Sequence, residues 1–284
     1  MTLSELYLSA KVIVFTDMDG TLLNHQDYDF SDALNTLSRL RERDIKVIPN
    51  TSKTFAEMQV LCDKIGLEQA FIIENGAAIY LPQHWFSYCP SSCRVQGKYF
   101  VKEFARSRRH ALDILKQIAP AFKSEFEAFS DISTARIASL TGLNPAHAAL
   151  AAQRGYAEPI VWLSSDSRRD EFIERLREAG GHVVRGGRFI HLGDHCDKSS
   201  AMQWACELFS QYFKQAHISL ALGDGMNDQQ MLESADVSCV IKSPVNPPLI
   251  VNKQTHLYRS ETSGALGWAH MIERILLQHL PSTD

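Results

Sequence analysis

The chain has 284 residues, more than one compact core usually organises, so two domains or one domain carrying a large insertion are expected. A hydrophobic share of 45%, a charged share of 22% and a formal net charge of −4 describe an ordinary globular composition. They give no electrostatic basis for a nucleic-acid or anionic-membrane partner. No run approaches the roughly 20 apolar residues of a spanning helix, so a cytoplasmic protein without a membrane partner is expected.

Apolar runs without alternation at Val12 to Phe15, Ile45 to Ile48, Phe71 to Ile73, Ile218 to Leu222 and Val237 to Ile241 fit parallel strands buried on both faces. After the first run, Ser31 is placed to cap a helix whose Phe30, Leu34, Leu37 and Leu40 fall on one face. After the second, Thr54 and Glu57 read as a capping box. Phe55, Met58, Cys62 and Ile65 form the apolar stripe behind it, and Gly66 is the stop. Strand, helix and strand in alternation predict an α/β fold with a doubly wound parallel sheet.

The middle of the chain breaks this rhythm. The strand-like KYFVKEF and EPIVWL alternate with the amphipathic RRHALDILKQIAPAF and DSRRDEFIERLREAGG, a set long enough for an independent α+β domain. The expected boundaries are 1–85 and 189–284 for the core and 86–188 for the insertion. Pro82 to Ser92 and Arg185 to Arg188 are the connections, the second carrying hinge glycines. Trp162 and Phe172 are expected in the core of the insertion. The six cysteines, Cys62, Cys89, Cys93, Cys196, Cys206 and Cys239, lack the spacings of a zinc site or a disulfide framework and read as buried free thiols.

Ligands of open α/β sheets bind beyond the carboxyl ends of the strands, where this chain is polar. Thr16-Asp17-Met18-Asp19-Gly20-Thr21 follows the first run and Asn50-Thr51-Ser52-Lys53 the second. Glu74-Asn75-Gly76 follows the third and Gly223-Asp224-Gly225-Met226-Asn227-Asp228 the fourth. Carboxylates suit a hard cation, and hydroxyl, amide and ammonium donors suit phosphoryl oxygens. Asn50 taken alone reads as a turn former. A calcium loop is excluded, because Gly20 stands fourth rather than sixth and Tyr28 occupies the position of the closing glutamate. No Walker motif occurs, and GDGMND lacks the third glycine of a dinucleotide fingerprint.

DMDGT at 17–21, Thr51, Lys198 and GDGMND at 223–228, in this order, resemble the haloacid dehalogenase superfamily of phosphatases. IPNTSKT, ENGA, YAEPIVW and GGRFIHLG look like its mannosyl-3-phosphoglycerate phosphatase family. The resemblance implies a Rossmann-like core with an inserted cap. It also implies a Mg2+-dependent phosphomonoesterase acting through an aspartyl-phosphate on a phosphorylated sugar–glycerate substrate. Asp17 is the implied nucleophile and Asp19 the acid/base, with Thr51 and Lys198 as catalytic neutralisers of the phosphoryl group. Asp17, Asp19 (through its carbonyl), Asp224 and Asp228 are the implied metal set. Asn75 and Asn227 are candidate substrate contacts, and Lys53 and Arg188 are candidates for a glycerate carboxylate. Glu158 has two readings, a contact to sugar hydroxyls or a structural loop residue. A strand-like extension past Phe15 would bring Asp17 and Asp19 to one side.

Overall fold

The computed structural model describes residues 2–68, 70–186 and 189–280. The chain forms two compact units. The first comprises Met1–Ser52, Leu61–Lys102 and Asp197–Asp284, and the second Lys53–Val60 and Glu103–Cys196. The stretch from 86 to 102, expected in the insertion, thus clusters with the first unit, and the second unit continues to Cys196.

At the centre of the first unit is a five-stranded sheet ordered Leu257–Ser263, Val237–Lys242, His217–Gly223, Lys11–Thr16 and Lys46–Pro49, parallel at every pairing. Lys11–Thr16 is buried from Val12 onward, as a continuous apolar run requires of a strand covered on both faces. The third apolar run departs from expectation. Phe71–Ile73 has its ladder with Ala78–Pro82, antiparallel, in a separate sheet with Tyr99–Glu103 and Arg94–Gln96. Among the described residues, one parallel bridge, Asn50 to Ile72, ties it to the strand before it. Three residues followed by a tight turn leave no room for the crossover helix that a parallel return needs.

Two helix starts contrast. Thr54 and Glu57 make the reciprocal capping bonds at 2.8 and 3.2 Å, and Gly66, at φ +74°, ends that helix. Ser31 caps nothing, since its hydroxyl donates to Asp29 and a short 3-10 turn, Ser31–Ala33, precedes the Leu34–Glu42 helix. Leu37 and Leu40 of the expected stripe are buried, whereas Leu34 is exposed.

The second unit holds an antiparallel sheet ordered Phe126–Ala128, Glu158–Trp162, Phe189–Gly193 and His182–Gly186. The amphipathic helices Arg108–Ile118 and Asp166–Glu178 contribute Ile114, Leu115, Phe172 and Leu176 to its core. Phe172 is fully buried against Trp162, ring centroids 5.1 Å apart. Arg185 and Gly186 belong to a paired strand of this sheet rather than to a connection, and Gly187 and Arg188 lie outside the described residues. All six cysteines are free, Cys62 and Cys239 buried and the other four half-buried. Among the described residues no helix is long and apolar enough to cross a membrane.

Candidate active site

The central strand ends at Thr16, whose hydroxyl accepts a hydrogen bond from the buried Trp268 indole at 3.0 Å. One further bond, from the Asp17 amide to the Leu222 carbonyl at 2.9 Å, fixes the next residue against the neighbouring strand. The chain then leaves the sheet. Leu23 and Thr21 donate their amides to the Met18 carbonyl, and Gly20 donates its amide to Leu23. Asp19 therefore sits in a turn, bridged to Leu23, not in the extended segment expected from the sequence. Gly20 has φ +83°, and a Cβ there would stand 2.7 Å from Asp224 Oδ2. Glycine is demanded both by the turn and by the carboxylate above it.

Lys198 is the first residue of the Lys198–Phe213 helix, capped by Asp197, whose carboxylate accepts from the Ser200 amide at 2.8 Å. Its side chain is 1% exposed and donates to Asp17 Oδ1 at 2.5 Å and to Asp228 Oδ1 at 2.7 Å. The other Asp228 oxygen accepts the amides of Asp224 and Gly225, at 3.1 and 3.0 Å. Asp228 thus braces both the lysine and the loop. Asp224 accepts from Thr21 Oγ1 at 3.2 Å. Thr51 is buried, with backbone bonds to Ile72 and Asn75. Asn227 donates its side-chain amide to the Asn75 side-chain carbonyl at 3.3 Å. Glu74, Asn75 and Gly76 all have positive φ, and a Cβ on Gly76 would overlap the Asp197 carbonyl at 2.0 Å.

Four strand-end clusters therefore meet within the first unit. Oxygens of Asp17, Asp224 and Asp228, all buried, lie within 4.8 Å of one another. Burial raises the pKa of Asp17, with Asp228 and Asp19 adding to the effect and Lys198 opposing it. Burial likewise raises that of Asp224. Burial alone would discharge Lys198, but the two flanking carboxylates reverse this and keep the ammonium charged. Three buried acids facing one base leave negative charge uncompensated, the condition a divalent cation relieves. The Asp19 carboxylate is outside this trio.

Lys53 is half-buried and, like Glu158, falls in the second unit. Glu158 is fully buried; its oxygens accept from Arg108 Nε at 2.5 Å and from the Ser130 amide at 2.8 Å. Such a carboxylate holds the protein together internally, which favours the structural reading. Asn50, which taken alone reads as a turn former, has a different place in the structure. It is fully buried, and its amide donates to the Lys198 carbonyl at 2.9 Å, holding the helix start that presents the lysine. A turn-forming asparagine has no reason to be buried, but burial is not written in a single residue type.

This fold and this acid–lysine cluster define a class. The sequence model of haloacid dehalogenase-like hydrolases matches residues 14–117. A crystal structure of a Thermoplasma acidophilum protein superposes over 95% of this chain and 100% of its own length, with TM-score 0.65 and 13% identity, a likeness of fold. The glucosyl-3-phosphoglycerate/mannosyl-3-phosphoglycerate phosphatase of Persephonella marina is 33% identical over 93% of this chain and 97% of its own. Its namesake from Methanococcoides burtonii is 32% identical over 92% and 96%. The chain belongs to the haloacid dehalogenase-like phosphatases and, within them, to the family of these two proteins. It is a phosphatase, and its substrate is a phosphorylated small molecule.

Proposed function

We propose that the enzyme hydrolyses the phosphomonoester of mannosyl-3-phosphoglycerate, releasing mannosylglycerate, with the glucosyl analogue as the alternative sugar that its relatives' names suggest. The observation that carries the phosphomonoester reading is the contact of Lys198 with Asp17 and Asp228 at the carboxyl end of the central strand. Phosphate monoesters are among the slowest substrates to hydrolyse in water, and a carboxylate nucleophile divides the displacement into two easier ones. Asp17 attacks phosphorus, the ester oxygen leaves, and an aspartyl-phosphate remains for water to cleave. Asp19 gives its proton to the departing glycerate oxygen and then takes one from the attacking water.

Lys198 and Thr51 neutralise the phosphoryl oxygens, and the Asn75–Asn227 amide pair orients them. Mg2+, the hard cation suited to an all-oxygen donor set, would be held by Asp17, Asp224 and the Asp19 carbonyl with Asp228 in support, and would offset the buried acid charge. Lys53 is the candidate for the glycerate carboxylate. Phosphate release from a panel of esters, with Mg2+ or with EDTA, tests this. The expected result is Mg2+-dependent release, fastest from mannosyl-3-phosphoglycerate. A preference for a simple hexose phosphate would replace the narrow assignment with a sugar phosphatase of broader range.

A further inference from the structure

The strand formed by the fifth apolar run, Val237–Lys242, also ends in a polar loop, Ser243-Pro244-Val245-Asn246-Pro247-Pro248. The Asn246 side-chain amide donates to Asp224 Oδ2 at 3.4 Å. The Ser243 hydroxyl accepts the Asn246 backbone amide at 3.3 Å. With Thr21 on Oδ1, Asp224 is held from both sides, by the first motif and by a loop more than two hundred residues downstream.

The loop is built to present this contact rather than to fill a core. Leu249 and Val251 are its buried anchors, whereas positions 244–248 are exposed, Val245 at 54%. Two prolines follow Asn246, fixing their own φ and restricting the residue before them to extended backbone. The Ser243 hydroxyl secures Asn246 from the other side. The Asn246 side-chain amide also lies 3.9 Å from where a Cβ on Gly225 would stand, over the loop that carries Asp224. An exposed asparagine on a stiffened loop, aimed at a buried carboxylate of the acid trio, has the placement of an outer partner that orients a metal ligand.

We propose that Asn246, supported by Ser243, is a positioning residue that sets the Asp224 carboxylate for the divalent cation, an inference that rests on the acid trio being the cation site. Orientation matters because Mg2+ demands near-octahedral oxygen geometry. A carboxylate free to rotate about its last bond offers the same charge in the wrong direction. The contact is to the ligand and not to substrate, so its loss falls on cation affinity first.

The test is calorimetric titration of Mg2+ into the full chain after EDTA treatment and dialysis, for the wild type, Asn246→Ala, Asn246→Leu and Asp224→Asn. Wild type should bind one Mg2+ and Asp224→Asn should lose it. Asn246→Ala and the near-isosteric Asn246→Leu should bind roughly ten-fold or more weakly, with melting temperatures in EDTA matching the wild type. In turnover, the Mg2+ concentration at half-maximal rate should rise by the same factor while kcat at saturating Mg2+ stays near wild type. A merely structural loop residue would not produce that split. Unchanged Mg2+ affinity in either folded Asn246 variant, beside a lost site in Asp224→Asn, overturns the role of Asn246 and leaves the cation site standing. Wild-type affinity in Asp224→Asn, or no Mg2+ binding by the wild type, overturns the cation site and this inference with it.

Discussion

Each unit of the chain buries charge, and the two do it differently. In the second unit Glu158 meets Arg108, and its remaining capacity is taken by the Ser130 amide, while Arg108 also donates to the Ala152 carbonyl at 3.2 Å. One acid answers one base, so the charge is matched within the protein. In the first unit Lys198 pairs with two buried acids, Asp17 and Asp228, while a third, Asp224, lies beside them, so one lysine faces a surplus of acid. Buried pairs of the first kind contribute little net stability but are costly to break. Clusters of the second kind are strained until something from outside joins them. The difference separates a structural ion pair from a reaction centre, although both look alike as buried polar residues.

The largest expected effect tests the reaction centre. Asp17→Asn should lower phosphate release by at least about 10^4-fold without lowering the melting temperature in EDTA, because Lys198 keeps Asp228. Turnover near wild type would remove Asp17 from the role of nucleophile. The complementary change, Glu158→Ala, should cost about 3–5 kcal/mol in urea unfolding by stranding Arg108. A loss below about 1 kcal/mol would break the contrast between the two clusters.

A third expectation concerns His191 in the second unit, whose pKa is pushed down to about 4, chiefly by burial and further by the Arg154 charge. Between about pH 6.5 and 4 the unfolded chain takes up a proton that the folded one refuses. Stability should fall as the pH drops through that window, by up to about 3 kcal/mol. In His191→Gln the stability curve should flatten there, and parallel curves for variant and wild type would contradict the assignment. The smallest expected effect returns to the first unit: Mg2+ at about a hundred times its dissociation constant should stabilise the wild type by roughly 2.7 kcal/mol, and Asp224→Asn by nearly nothing. Thermal melts with Mg2+ and with EDTA measure both.

Much of this was legible in the sequence, for identifiable reasons. Continuous apolar runs ending in acids, hydroxyls and amides locate strand ends directly, so Asp17, Thr51, Asn75 and Asp224 could be found and the α/β class inferred. The capping box at Thr54 is a local pattern and folds as one. The failures involve contacts that no local pattern encodes. Ser31 bonds to Asp29 instead of capping, and Phe71–Ile73 pairs with the strand after it. The boundary near 86 missed that Tyr99–Glu103 shares a sheet with Phe71–Ile73. Leu257–Ser263 went unread because an edge strand with alternating exposure has no continuous apolar run. Asn246 was overlooked although the same strand-end rule, applied to the fifth run, leads to its loop.

The close seat of Gly76 against the Asp197 carbonyl bears on the history of the chain as well as on its chemistry. Two points about 120 residues apart are pinned together by backbone contact, so all that lies between them is, in polymer terms, one closed loop. The entropy of closing such a loop rises only with the logarithm of its length, about 0.6 kcal/mol for each doubling. Material could therefore be added to or taken from this interval over evolution at small thermodynamic cost, while the junction that delivers Lys198 to Asp17 stayed where it was.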